Sequence, residues 1–208
     1  MDSNNPYAAP TVELIDAQAP RSLPGWSPGK LQLLGWLSLI YLLATLVVLG
    51  LAFIEDLAML GDVLGVASTL LGCYLALRLK AFVESRFSAH GLARPVWLSI
   101  LLSVVLEAIN LYWRGDELGV GFTPQAVFYF GLAALLGLAI LWLGIVLLKL
   151  ENAYPVLRVL AWLNIAAGVL MASVLLFLVG ILPLLAAMVA AALVFFRGAK
   201  ELEGSQAA

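Results

Sequence analysis

The stretch that decides the fold is "VLRVLAWLNIAAGVLMASVLLFLVGILPLLAAMVAAALVFF", residues 156–196. It is almost uninterrupted apolar sequence, about twice the 20 or so residues that a helix needs to cross a hydrocarbon core of roughly 30 Å. Read as one element it gives five spans; read as two it gives six. Gly180-Ile181-Leu182-Pro183 offers a turn in the middle. Proline suits the first turn of a helix, where its missing N–H is no loss and its fixed φ already fits. Pro95, Pro124 and Pro155 stand at the starts of other apolar runs, and Pro183 is read in the same way. The expected spans are Leu33 to Ile54, Met59 to Leu79, Pro95 to Trp113, Pro124 to Leu148, Val156 to Leu178 and Leu182 to Arg197.

Composition agrees: the 208 residues are 63% hydrophobic and 12% charged, with a mean hydropathy of +1.05. That is more apolar surface than a soluble domain of this size buries, so an all-α, polytopic membrane protein is expected, with the lipid bilayer as its first partner. The expected organisation is a disordered, Pro-rich tail over 1–29, a six-helix transmembrane domain over 30–200 and a short polar tail over 201–208. The first of these holds five of the nine prolines and no apolar run long enough for a signal-peptide core.

Basic residues stay on the cytoplasmic side of a membrane. Arg21 and Lys30 precede the first span; Arg78, Lys80, Arg86 and Arg94 lie between the second and third; Lys149 and Arg158 between the fourth and fifth; Arg197 and Lys200 after the sixth. Six spans thus put ten of the eleven basic residues on one side, leaving Arg114 among the acids of the other. Five spans would spoil this, so the count predicts six with both termini cytoplasmic. A net charge of −2 with no basic cluster argues against nucleic acid as a partner.

Within this frame "GWLSLI" (35–40), "VWLSIL" (96–101) and "AWLNIA" (161–166) repeat one string, about sixty residues apart. Trp36, Trp97 and Trp162 each fall near the basic start of an odd-numbered span. As interfacial anchors they belong to an aromatic belt; alternatively, they mark three in-out-in helical hairpins. Residues 78–94, "RLKAFVESRFSAHGLAR", continue the second helix, with Leu79, Phe82, Val83 and Phe87 on one face, as an amphipathic extension resting on the inner leaflet.

The polar signal is in the third span. Ser99, Ser103, Glu107, Asn110 and Arg114 recur at steps of four, four, three and four, on one helical face. An acid inside a membrane is costly and faces protein or water; Glu107 lies about 9 Å from Trp113 along the axis, in the outer half of the span. Two roles stay open: a structural tie to Arg114, Asn110 or a neighbouring helix, or a site for a proton, a cation or a polar headgroup. Small residues at helical spacing mark packing faces: Gly61 with Gly65; Ser68, Gly72 and Ala76; Ala133 with Gly137; and Asn164, Gly168 and Ala172. Asn164 reads as an interhelical hydrogen bonder or a ligand.

The chain has no HExxH, no Cys/His cluster, no GxGxxG or P-loop, and a single cysteine, Cys73. No catalytic residue, metal site or cofactor is therefore expected. The opening "NPYAAP", Asn5 to Pro10, resembles the Asn-Pro-Tyr-Ala-x-Pro leader of uncharacterised bacterial multi-pass inner-membrane proteins, some of the RDD type. "LWLGIVLLKL" (141–150) through "LVFFRGAKELE" (193–203) is similar to the second half of small membrane proteins of that kind. The resemblance implies a bacterial inner (plasma) membrane. It carries no activity, since the Arg-Asp-Asp signature is absent. The functional expectation is a non-enzymatic accessory or scaffold component of a membrane assembly, with a membrane-protein partner or a second copy of itself and a cytoplasmic partner for Asn5–Pro10. The alternative is a small solute, ion or proton carrier or channel using the polar face of the third helix.

Overall fold

The computed structural model describes residues 23–113, 123–173 and 176–206. Six helices account for nearly all of them: α1 Pro28–Leu51, α2 Ala58–Phe87, α3 Ala93–Trp113, α4 Pro124–Leu148, α5 Pro155–Ala172 and α6 Phe177–Gln206, with a 3-10 turn at Glu55–Leu57. Each is long and apolar enough to cross a membrane, and the chain is an all-α, multi-pass membrane protein. Helices consecutive in sequence pack against one another, and α6 returns to α1, so the six close into an up-and-down ring. The α4–α5 seam is the tightest and the α2–α3 seam the thinnest.

Local chemistry sets the helix starts. Ser27 and Thr123 accept hydrogen bonds from the backbone N–H groups of Lys30 (3.3 Å) and Ala126 (3.1 Å), with Pro28 and Pro124 next in line. These side chains satisfy N–H groups that the helix itself leaves unpaired.

The long stretch 156–196 divides, but earlier than its Gly-Pro signal indicates. Ser173 sits at the break: its hydroxyl donates to the Leu170 carbonyl (2.7 Å) and accepts from the Leu176 N–H (3.2 Å), serving the end of α5 and the start of α6 together. Gly180 and Pro183 therefore lie inside α6. Gly180 is a packing position, since a Cβ there would lie 2.8 Å from Met171 Cγ. Pro183, in the second turn, costs α6 one backbone bond and does not end it. The spans expected over 156–178 and 182–197 are corrected accordingly.

Both boundaries of the transmembrane domain also move. Residues 23–29, assigned to a disordered tail, are ordered: Leu23 is buried, Trp26 packs edge-on against Phe82 with ring centroids 5.4 Å apart, and α1 begins at Pro28. Residues 1–22 lie outside the described residues. At the other terminus, α6 runs on to Gln206 with Leu202 buried, so 201–206 is helix and not a polar tail. At 30 residues each, α2 and α6 are about 45 Å long. They exceed a hydrocarbon core of roughly 30 Å, and the surplus carries their charges. The amphipathic face of α2 meets protein there, not a leaflet: Phe82 and Val83 are fully buried against a core that includes Leu31, Leu157, Val194 and Phe195. We call this the basic end of the ring and the opposite one the acidic end.

Candidate functional site: a cavity inside the ring

Two residues along a helix is a rotation of about 200°, so in the repeated string the Trp and the Ser or Asn that follows at +2 must face opposite ways. Trp36, Trp97 and Trp162 are 61%, 57% and 62% exposed, on the outside of the ring. Ser38, Ser99 and Asn164 point inward and line one cavity of about 270 Å³. The string is a register device: it anchors α1, α3 and α5 outward by Trp and presents a polar group inward from alternate positions around the ring.

All six helices wall this cavity. Its polar lining is Ser38 and Tyr41 from α1, Thr69 and Cys73 from α2, Ser99 and Ser103 from α3, and Asn164 from α5; the rest is apolar, including Leu143, Leu184 and Phe195. Among the described residues, no lysine, arginine, aspartate or glutamate lines it. Ser38 and Ser99 donate to the carbonyls of Leu34 (2.9 Å) and Pro95 (2.8 Å), four residues back in their own helices. With their protons so used, the hydroxyl oxygens offer lone pairs inward, whereas the Asn164 amide offers both donor and acceptor.

The polar stripe of α3 is divided by the structure. Ser99 and Ser103 line the cavity, but Glu107 turns to the α2–α3 seam. There Oε2 accepts a hydrogen bond from Thr69 (3.3 Å), and Oε1 is buried without a partner among the described residues, in the space left by the missing side chain of Gly65. Asn110 is half-buried nearer the acidic end. Arg114 lies outside the described residues.

Small residues fall into two uses. Gly137 and Gly168 bring the backbones of α4 and α5 together: a Cβ on Gly168 would lie 2.6 Å from the Gly137 carbonyl oxygen, and one on Gly137 would lie 2.7 Å from the Ala172 nitrogen. Gly65 and Gly72 instead make room for side chains, the Glu107 carboxyl and the Tyr41 phenol. Ala133 is buried, Ala76 lines the cavity, Ser68 is buried with its hydroxyl unpartnered among the described residues, and Gly61 has an ordinary contact with Leu51.

The basic end closes the ring. Arg86 of α2 donates through Nε (3.3 Å) and Nη2 (2.5 Å) to both oxygens of Glu201 in α6, and the Tyr154 hydroxyl, at the start of α5, donates to the same carboxylate. Burial opposes the charge on Glu201, but the bonds from Arg86 and Tyr154 outweigh it and hold the carboxyl below its ordinary range. Burial and the neighbouring carboxylate push the Tyr154 phenol up. Gln32 of α1 adds a bond to Glu203 (2.7 Å).

Ser38, Tyr41, Thr69 and Cys73 were missed as site residues by reading the chain alone. The signal that would have found Ser38 was the third letter of the repeated string, which reads inward once the Trp is placed outward. No protein-family model, curated protein or solved structure matches this chain.

Proposed function

We propose that the protein is a non-enzymatic carrier of a small uncharged solute in a bacterial plasma membrane, with both termini cytoplasmic and the solute held in the cavity of the ring. One observation carries this reading: polar side chains from α1, α2, α3 and α5 converge on a single cavity to which all six helices contribute. An uncharged occupant is favoured over an ion or a proton because the described lining holds hydroxyls, a thiol and one amide but no charged side chain, and a dehydrated ion would lack compensation there. At about 270 Å³ the cavity falls below the roughly 300 Å³ at which pockets for drug-sized ligands begin. It suits a compact molecule with an apolar flank and a few hydrogen-bonding groups. The test is solute uptake by proteoliposomes, followed by light scattering, with glycerol, urea and sucrose as probes. Wild-type protein should admit the two smaller solutes faster than protein-free vesicles, and Asn164→Leu should abolish the difference. Equal rates for wild type and empty vesicles would sink the reading.

A second reading, the accessory or scaffold component, draws on one observation: Glu107, the deepest acid of α3, is tied to Thr69 at a helix seam and is absent from the cavity lining. Cross-linked purification from membranes, comparing wild type with a deletion of residues 2–20, tests it. A stoichiometric partner lost on deletion, together with inert proteoliposomes, would replace the carrier reading by this one.

A further inference from the structure

The four basic residues of α1 and α2 divide into two kinds. Lys80 is paired with Glu84 at 2.7 Å, and Arg86 with Glu201. Lys30 and Arg78 have no carboxylate partner among the described residues, and both line a second groove, of about 410 Å³. Its walls explain why it persists. Gly25, at φ +83° in the left-handed region open to glycine, folds residues 23–27 back on the bundle, and Trp26 is held there edge-on against Phe82. The Gly25 carbonyl accepts from Lys30 Nζ (3.1 Å), and the Arg78 guanidinium lies over the Tyr74 ring at 5.2 Å, so both cations are steered toward the groove. Leu33 and Tyr74 are exposed on its membrane side.

We propose that this groove binds one anionic phospholipid, its phosphate between Lys30 and Arg78 and its acyl chains along the apolar flank at Leu33. Charge complementarity names the headgroup: two cations without a carboxylate partner among the described residues, at the end of a membrane span, attract an anionic lipid. Position names the lipid as the source of the phosphate, since the groove opens beside Leu33 and is framed by Trp26 and Tyr74, ring systems that sit at headgroup level.

Native mass spectrometry of the detergent-purified full-length protein, titrated with dioleoyl-phosphatidylglycerol, dioleoyl-phosphatidylcholine or inorganic phosphate, tests this. One phosphatidylglycerol should bind in preference to phosphatidylcholine. Two cations at the headgroup predict a loss of about thirtyfold in that preference for Lys30→Gln/Arg78→Gln. Arg94→Gln/Arg158→Gln, which removes the same charge elsewhere, should leave it intact, and Lys30→Arg/Arg78→Lys should retain most of it. Equal loss in both Gln pairs would mean diffuse attraction and overturn the site. Displacement of the lipid by millimolar inorganic phosphate would overturn the lipid as its occupant.

Discussion

Two seams of one ring use glycine for opposite ends. Between α4 and α5, Gly137 and Gly168 let backbone meet backbone, and what opposes each glycine is main chain that cannot step aside. Between α2 and α3, Gly65 faces the tip of the Glu107 side chain, and the seam is filled by a carboxyl group held through a single bond from Thr69. Lipid supplies no hydrophobic drive between helices, so close backbone packing is what joins them. The first seam is therefore welded and the second is plugged. The α2–α3 seam is also where this ring is thinnest.

The largest effect should come from breaking the welded seam. In Gly168→Ala the new Cβ would lie 2.5 Å from the Leu141 nitrogen, and both helices must move. The expected loss is about 3 kcal/mol, the upper end for an overpacked interior. In Gly65→Ala the clash at 2.7 Å is with Glu107 Oε1, which can rotate away. The expected cost is about 1 kcal/mol, that of one strained rotamer. Thermal unfolding of both variants in detergent compares the seams directly, and equal losses would erase the distinction.

The basic end ties α2 and the start of α5 to α6 and gives the next largest effect. Arg86→Gln leaves the Glu201 carboxylate without its cation; since the two side chains are 13% and 21% exposed, the loss is discounted for solvent to about 1 to 2 kcal/mol. The sign with pH follows from the depressed Glu201 carboxyl. Its contribution is present above the carboxyl's unfolded-state pKa and is lost as pH falls through the lower folded value. Wild-type stability should therefore drop at the acid edge of the carboxylate range, and Arg86→Gln should show less of that drop. Parallel pH profiles for the two proteins would remove Arg86 as the cause.

The six crossings were legible because length and charge placement are global constraints that each residue satisfies additively. Only an even number of crossings lets ten of the eleven basic residues share a side, so the sequence argues for six whatever the details at a turn. Where the fifth helix stops was not legible, because it is set by one hydroxyl at Ser173 reaching two backbone groups, whereas the louder signal, Gly180 with Pro183, answers to packing against Met171 and to the tolerance of a helix for a single proline. The α3 stripe was legible as a face, but spacing in one helix cannot say what stands opposite. That Ser99 would meet a cavity and Glu107 a glycine depends on α2, whose Gly65 and Thr69 carry no mark distinguishing them from its other small residues. The repeated string carried more about the site than the acid did. Its Trp is exposed in all three helices, and two residues further on a helix faces the opposite way, into the ring.

The smallest effect should come from the plug, and it sharpens the comparison most. Thr69→Val removes the one hydrogen bond described to the Glu107 carboxyl and should cost about 1 kcal/mol, within the range for interhelical hydrogen bonds in membranes. Glu107→Gln keeps the shape and the acceptor while removing any charge, and should be close to neutral. Cys73 supplies the readout beyond stability: it is the chain's single cysteine, it lines the cavity, and it stands one turn along α2 from Thr69. If the plug holds the seam shut, a maleimide should label Cys73 in liposomes faster in Thr69→Val than in wild type, whereas Glu107→Gln should label at the wild-type rate. Unchanged labelling in Thr69→Val would mean that the seam is held by packing alone, and the contrast with α4–α5 would then be one of degree.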